Sequence, residues 1–355
     1  MADTMSPRER VLTTLRRGRP DRVPKDLDFT EPKYEEFTQR TGSQRPEEYF
    51  RLEPRGVGIA PTKQKHDFSD YFADVERLDD VDEWGVGYIS AHFHHFWRHV
   101  HPLRNVTTPR EVAAYPWPDV LAPYRWEKVP ETVARWHDQG YPVCAGPPSQ
   151  LYEQAWYLRG QEQFLLDFYD NPDVATAILD TINHVLIEGS RRLAAAGVDV
   201  LRLGDDVGWQ RAMIMSPDCW RKWLKPRLAD VISVARRIKP DILIFFHTDG
   251  NVEPIIPDLI DVGLDILNPV QPECMDPVEI KRKYGDQLAF WGTIGTQTTM
   301  PFGTPEEVRR VVKERIDMVG PEGLLLAPTH VLEPEVPWEN VVAFVEAVEE
   351  YGVLK

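Results

Sequence analysis

The sequence predicts an α/β protein, a (β/α)8 TIM barrel with an N-terminal helical and loop extension. Three observations lead there. From about residue 129, helical stretches alternate with short apolar runs, and at least six such βα units follow residue 140. The run Ile242 to Phe246 is continuously apolar, which suits a parallel strand covered on both faces. Each run then gives out into polar residues, as in barrels whose sites are built from the C-terminal ends of the strands. No GxGxxG or Walker motif follows any run, which turns the reading away from a nucleotide-binding open sheet.

Taken in order, Ser6 to Leu15 reads as a first helix, with Ser6 as N-cap, Pro7 at the first helical position and Glu9 completing the first turn. Asp26 to Phe29 offers a first strand. Residues 30 to 130 mix short helical pieces such as Pro32 to Thr41 with aromatic and proline-stiffened connections. A helix from Glu131 to Gly140 leads to a strand at Tyr141 to Ala145. A long helical region to Ala196 is broken near Gly160 and Asn171-Pro172. Strands follow at Val198 to Leu203, Ile242 to Phe246, Asp265 to Leu267, Leu288 to Trp291 and Leu324 to Leu326. The helices between them are Ser216 to Ile238, Val252 to Val262, Pro277 to Tyr284 and Pro305 to Val319, and Trp338 to Tyr351 closes the chain. All 355 residues are read as one domain, with 1–130 irregular and 131–355 regular.

Composition narrows the function. At 42% hydrophobic and 28% charged residues, the chain has ample material for a core. Three widely spaced cysteines form neither a disulfide framework nor a CxxC site, and with no apolar leader at the N-terminus they suggest a cytoplasmic protein. A net charge of −16 argues against nucleic acid as a partner, and no apolar run approaches a membrane span.

The strand ends carry the chemistry. In chain order they supply Ser149 and Gln150, Asp205 and Asp206, His247 and Asp249, Asn268 and Gln271, Thr293, then Thr329 and His330. In an extended chain residues i and i+2 share a side, so His247 and Asp249 face one way. Taken singly, each has a structural explanation: Asp205-Asp206 as a helix cap, Asn268-Pro269 as a turn. Together they put two histidines and three carboxylates at one mouth. Asp205, Asp206, His247 and His330 are the candidate catalytic groups. Tyr152, Trp209, Gln210, Phe246, Asn268, Gln271 and Trp291 are candidate substrate contacts. Five histidines, His92, His94, His95, His99 and His101, crowd an aromatic stretch that reads as a partly buried connection outside the pocket.

Several stretches resemble the uroporphyrinogen decarboxylase superfamily, especially its branch with the cobalamin-linked methyltransferases. They are Arg8-Glu-Arg-Val11 with Pro20-Asp-Arg-Val-Pro24, Gly204-Asp-Asp-Val-Gly-Trp-Gln210 with Ser216-Pro217, Phe246-His-Thr-Asp-Gly250, Asp265-Ile-Leu-Asn-Pro-Val-Gln271, Phe290-Trp-Gly292, and Leu326-Ala-Pro-Thr-His330 with Glu339-Asn340. The resemblance implies a TIM barrel and a homodimer. Two departures matter. The decarboxylases look different after the first helix, where an arginine-rich segment clamps substrate carboxylates; here the chain reads Lys25-Asp-Leu-Asp-Phe-Thr-Glu31. Thiol-directed methyltransferases look like HxC plus a late cysteine binding zinc, and the matching positions here are His247-x-Asp249 and His330. Glu153 matches a region where some relatives supply a further carboxylate. The implied ligand set is His247, Asp249, His330 and Glu153, suited to zinc, or to iron or manganese. The expected activity is metal-assisted methyl or related group transfer, or demethylation, of a small molecule, with a separate corrinoid protein as partner and no cobalamin bound by this chain alone. A metal-free site would give His247 and His330 acid–base roles, with Asp249 fixing a tautomer. The alternatives are a decarboxylase acting on a porphyrinogen or smaller acid, and a non-catalytic binding partner.

Overall fold

A computed structural model describes residues 4–91 and 97–354. A small antiparallel sheet comes first in the chain: β1 (Asp80–Val81), β2 (Gly87–Ser90) and β3 (Trp97–Val100). The main sheet has six parallel strands standing side by side in chain order. They are β4 (Cys144–Ala145), β5 (Val200–Gly204), β6 (Leu243–His247), β7 (Ile266–Asn268), β8 (Ala289–Ile294) and β9 (Leu324–Pro328). Helices connect them, the longest being Pro172–Ala196 between β4 and β5. No described helix is long and apolar enough to cross a membrane.

Both faces of this sheet are buried, and the alternation of strand side chains sorts its apolar residues into two sets. Val200, Leu243, Phe245, Ile266, Trp291 and Leu325 form an inner cluster. Leu201, Ile244, Phe246, Leu267, Phe290 and Leu326 face the helices. Helix Pro7–Leu15 plugs the N-terminal end of the inner face. Ser6 and Glu9 close its first turn as a capping box, and Val11 and Leu15 join the inner cluster, each wholly buried. Burying a side chain of this size contributes about 1.5–3 kcal/mol. Arg8 on the same helix pairs with Asp199, just ahead of β5, at 2.7 Å, which fixes the plug against the strand starts.

The structure departs from the sequence reading at the sheet edges. Ladders join six strands, and the expected first strand at Asp26 to Phe29 contributes single bridges: Lys25 to Leu326 and Phe29 to Leu332, both parallel. On the other edge Arg55 makes a parallel bridge to Val143. The two edge segments are joined by a side chain. Glu53 accepts the Lys25 backbone N–H at 3.0 Å and pairs with Arg22 at 2.8 Å and Arg10 at 3.5 Å; Glu53, Lys25 and Arg10 are buried and Arg22 is partly so. The expected strand at Tyr141 to Ala145 shortens to two residues because Pro142 has no N–H to give a ladder. The helical stretch from Ser216 breaks at Leu224, just before the Lys225-Pro226 start of a second helix, Lys225–Ile238.

Candidate functional site

Strands β5 and β6 pair in register, Gly204 opposite His247. The residues just beyond them make the site. Asp205 turns toward helix Tyr152–Arg159, where one carboxylate oxygen accepts the Tyr152 and Glu153 N–H groups at 2.7 and 3.1 Å. It thus satisfies two of the free amides that begin that helix. Asp206 turns the other way. It accepts the Asp249 N–H at 2.8 Å, and the same oxygen lies 3.6 Å from His247 Nε2. Asp249, two residues past His247, brings an oxygen to 3.9 Å from that nitrogen. One ligand atom from each of Asp206, His247 and Asp249 falls within 4.8 Å of the others. Backbone contact sets this spacing. The loops after β5 and β6 cross at Gly208 and Gly250, and a Cβ on Gly208 would meet the Asp249 carbonyl at 2.2 Å.

The protonation of His247 follows from its neighbours. The Trp291 carbonyl can only accept, so the Asn268 side chain must present its amide NH2 there, at 2.6 Å. The Asn268 oxygen therefore faces His247 Nδ1, at 2.5 Å, and that nitrogen carries the proton. This assignment leaves Nε2 with a bare lone pair directed at two carboxylates. Two carboxylates and the imidazole converge with one backbone N–H, that of Asp249, among them, and such a group calls for a cation, either a proton on Nε2 or a metal ion. Ligands at about 2.0–2.1 Å from a tetrahedral ion stand about 3.3–3.4 Å apart, and the separations from Nε2, 3.6 and 3.9 Å, are wider by a few tenths of an ångström. An Asn carbonyl holding the far nitrogen of the ring is the outer support that metal-binding histidines usually have.

The surrounding charge points the same way. Burial, then the charge of Asp206, raises the Glu153 carboxyl to about 7. Burial also raises Asp249, with Asp206 adding to the effect and His247 and His330 opposing it. Asp205 is pushed well above the usual carboxylate range, first by burial and then by Glu153.

A cavity of about 500 Å³ opens beside this cluster, a size suited to a small molecule. His247 belongs to both, and Asn268, Asp26, Asp28, Arg202, Phe245, Trp291 and His330 are among the other lining residues. The remaining sequence candidates scatter. His330 is exposed on the cavity wall and lies outside the Asp206–His247–Asp249 group, reaching Asp249 only through its charge. Phe246 is turned to the helix side with Trp220 and Leu224, and its neighbour Phe245 occupies the cavity wall. The alternation that puts His247 and Asp249 on one side puts Phe246 on the other. Tyr152 is fully buried against Phe164. Trp209 is 71% exposed on its loop, and Gln210 is exposed and bonded to Gln297 at 3.0 Å. Gln271 accepts the Gly250 N–H at 3.3 Å and so steadies the loop that bears Asp249. His99 packs on Tyr157, ring centres 4.7 Å apart, and His101 bonds the Tyr157 carbonyl, both against the helix that carries Glu153. His92, His94 and His95 lie outside the described residues.

Arg202 escaped the reading of strand ends because it lies inside a strand. Its signal was present all the same: a charged residue in the run Val-Leu-Arg-Leu, where every neighbour is apolar.

An α/β fold that gathers three carboxylates and a histidine beside a cavity at its strand ends has the layout of an enzyme. The sequence model of the uroporphyrinogen decarboxylase (URO-D) family matches residues 108–351, and the chain belongs to that family. Its curated relatives carry different activities. A methylcobamide:CoM methyltransferase, MtaA, of Methanosarcina barkeri is 29% identical over 180 residues, covering 50% of each chain. A uroporphyrinogen decarboxylase of Salinibacter ruber is 25% identical over 184 residues, covering 52% of this chain and 49% of the relative. The chain thus spans about half the length of the curated relatives it matches. A solved methyltransferase from Methanosarcina mazei shares the fold, with a TM-score of 0.69 at 20% identity over 98% of this chain and 99% of its own.

Proposed function

We propose that this chain is a metal-assisted enzyme that moves a methyl or related group to or from a small molecule. The observation that carries the reading is the bare Nε2 lone pair of His247 aimed between the carboxylates of Asp206 and Asp249. A divalent ion, zinc first and iron or manganese as alternatives, would be held by these three residues, with Glu153 and His330 nearby. When bound it supplies Lewis acidity, lowering the pKa of a hydroxyl or thiol of the substrate. The other roles belong to this chain. Asn268 fixes the ring, Asp205 fixes the helix that bears Glu153, and Glu153, with a carboxyl near 7, holds or yields a proton beside the reacting group. A separate corrinoid protein is the proposed methyl partner, supported by the likeness to a methylcobamide-using relative. In the same reading the segments at Lys25 and Arg55 are the two missing staves of a (β/α)8 barrel, and the protein is a cytoplasmic homodimer.

Decarboxylation of a porphyrinogen is the second reading, supported by the family match. Asp26 and Asp28 on the cavity wall count against a substrate with many carboxylates.

Elemental mass spectrometry of untagged protein tests the proposal. Wild type is expected to hold about one zinc, iron or manganese per chain. H247A and D206A should lose it while remaining folded, and H330A should keep it, because His330 stands outside the group. Absence of metal from reconstituted wild type, or full retention in H247A, would overturn the reading.

A further inference from the structure

We propose that Arg202 is the docking point for a carboxylate on the substrate, so that the cavity takes anionic small molecules. The proposal rests on the reading above for where reaction occurs, but not for where the anion binds.

Arg202 sits in the middle of β5, opposite Phe245 of β6, with its side chain on the inner face. Its guanidinium carbon lies 5.0 Å from the Phe245 ring centre and 5.7 Å from that of Trp291. Those two rings meet edge to face, 5.3 Å apart, and flank the guanidinium as an aromatic corner within cation–π range. Yet among the described residues no hydrogen bond or ion pair engages it. Arg202 is exposed to this cavity, whereas three arginines buried elsewhere spend their guanidinium groups on protein partners. Arg10 bonds Asp21 and Glu53, Arg125 bonds Glu83 and the Ala60 carbonyl, and Arg159 bonds Asp167 and the Leu103 carbonyl. Arg202 differs from these three in standing on the wall of an open cavity, engaged only by aromatic rings.

A role as counter-charge for Asp26 accounts for it poorly. Asp26 feels the charge of Arg202 but lies beyond ion-pair distance, and burial pushes its carboxyl up to about 7. A planar fork of N–H donors in an aromatic corner suits a carboxylate, which it meets with two parallel bonds. Gly204 is in register with His247, so Arg202 stands one inner layer deeper, about 7 Å below it. A molecule anchored by its carboxylate at Arg202 would reach up to His247 with its other end. The arginine-rich clamp missing after the first helix therefore has a single-residue counterpart in a strand.

Calorimetric titration with butyrate, methanesulfonate and 1-butanol tests this, on protein as purified and after chelation. Butyrate should bind both forms, and at least tenfold more weakly to R202M and R202Q, with R202K in between. Butanol should show no dependence on Arg202. Methanesulfonate binding as tightly as butyrate would overturn the carboxylate preference. Butyrate affinity unchanged in R202M, or lost on chelation yet indifferent to R202M, would assign the anion elsewhere and overturn the proposal. Should the variants fail to fold, wild type still decides. Butyrate, and not butanol, should protect Arg202 from phenylglyoxal, read by peptide mass spectrometry; equal labelling with either would refute it.

Discussion

At the residue scale, the most consequential side chain after His247 is Asn268, which touches no reacting group. It fixes which imidazole nitrogen carries the proton, through one bond to the Trp291 carbonyl and one to the ring. N268A should weaken metal binding by about ten- to a hundredfold, the usual effect of removing such a support, while N268D keeps an acceptor and should lose less. Competition against a chelating dye would measure both. Equal affinities for wild type and N268A would mean that the ring needs no such support. Residues of this kind were partly legible. His247 and Asp249 could be set side by side from strand periodicity alone, and Asn268 from the polar end of its strand. Asp205 and Asp206 could not be told apart. Only the structure sends one to cap a helix and the other to the histidine.

At the element scale, the two crossing loops decide whether the carboxylates converge. Gly208 and Gly250 leave no room for a side chain between them, and Gly250 has φ +80°. G208A must push the Asp249 carbonyl away. Overpacking of this sort costs about 1–3 kcal/mol. The variant should melt a few degrees lower and, more tellingly, lose most of its bound metal with all three ligand side chains intact. A G208A protein with full metal content would show that the loops tolerate displacement. The sequence marked these stretches as turns, but a contact between turns after different strands is not written in either one. The inner and outer faces of the strands were hidden for a related reason. Where both faces are apolar, periodicity carries no contrast, so Phe245 and Phe246 read alike.

At the scale of the whole molecule, charged clamps tie the first helix to the sheet. Asp199 is reached by Arg8, by His137 at 2.8 Å and by the Val143 N–H at 3.0 Å. Burial opposes its ionisation, but these partners outweigh it and hold the carboxyl below the usual range. Asp21 behaves alike: burial is outweighed by Arg10 and by the amides of Met5 and Thr4. A carboxylate with a depressed folded pKa adds stability that is complete above its unfolded value, about 3.9, and drains away as pH falls through the folded one. Urea midpoints should therefore fall steeply below about pH 4, and D199N should flatten that slope. An acid limb unchanged in D199N would place the clamp's contribution elsewhere. Most of the ladder strands were legible as apolar runs, β6 up to its final histidine and β5 on either side of Arg202. The edges were not, because a single bridge at Lys25 or Arg55 needs no strand-like sequence.

Those edges also set an order of events during synthesis. Lys25 leaves the ribosome about 300 residues before its bridge partner Leu326. At ordinary translation rates of about 5–20 residues per second, that is a wait of roughly 15–60 s. Through that interval the first segment, with its helix plug and its charged residues, has no sheet edge to join. A stretch made long before its partner strand is secured only afterwards, and the nascent chain carries its own stopper until the vessel it fits has been built.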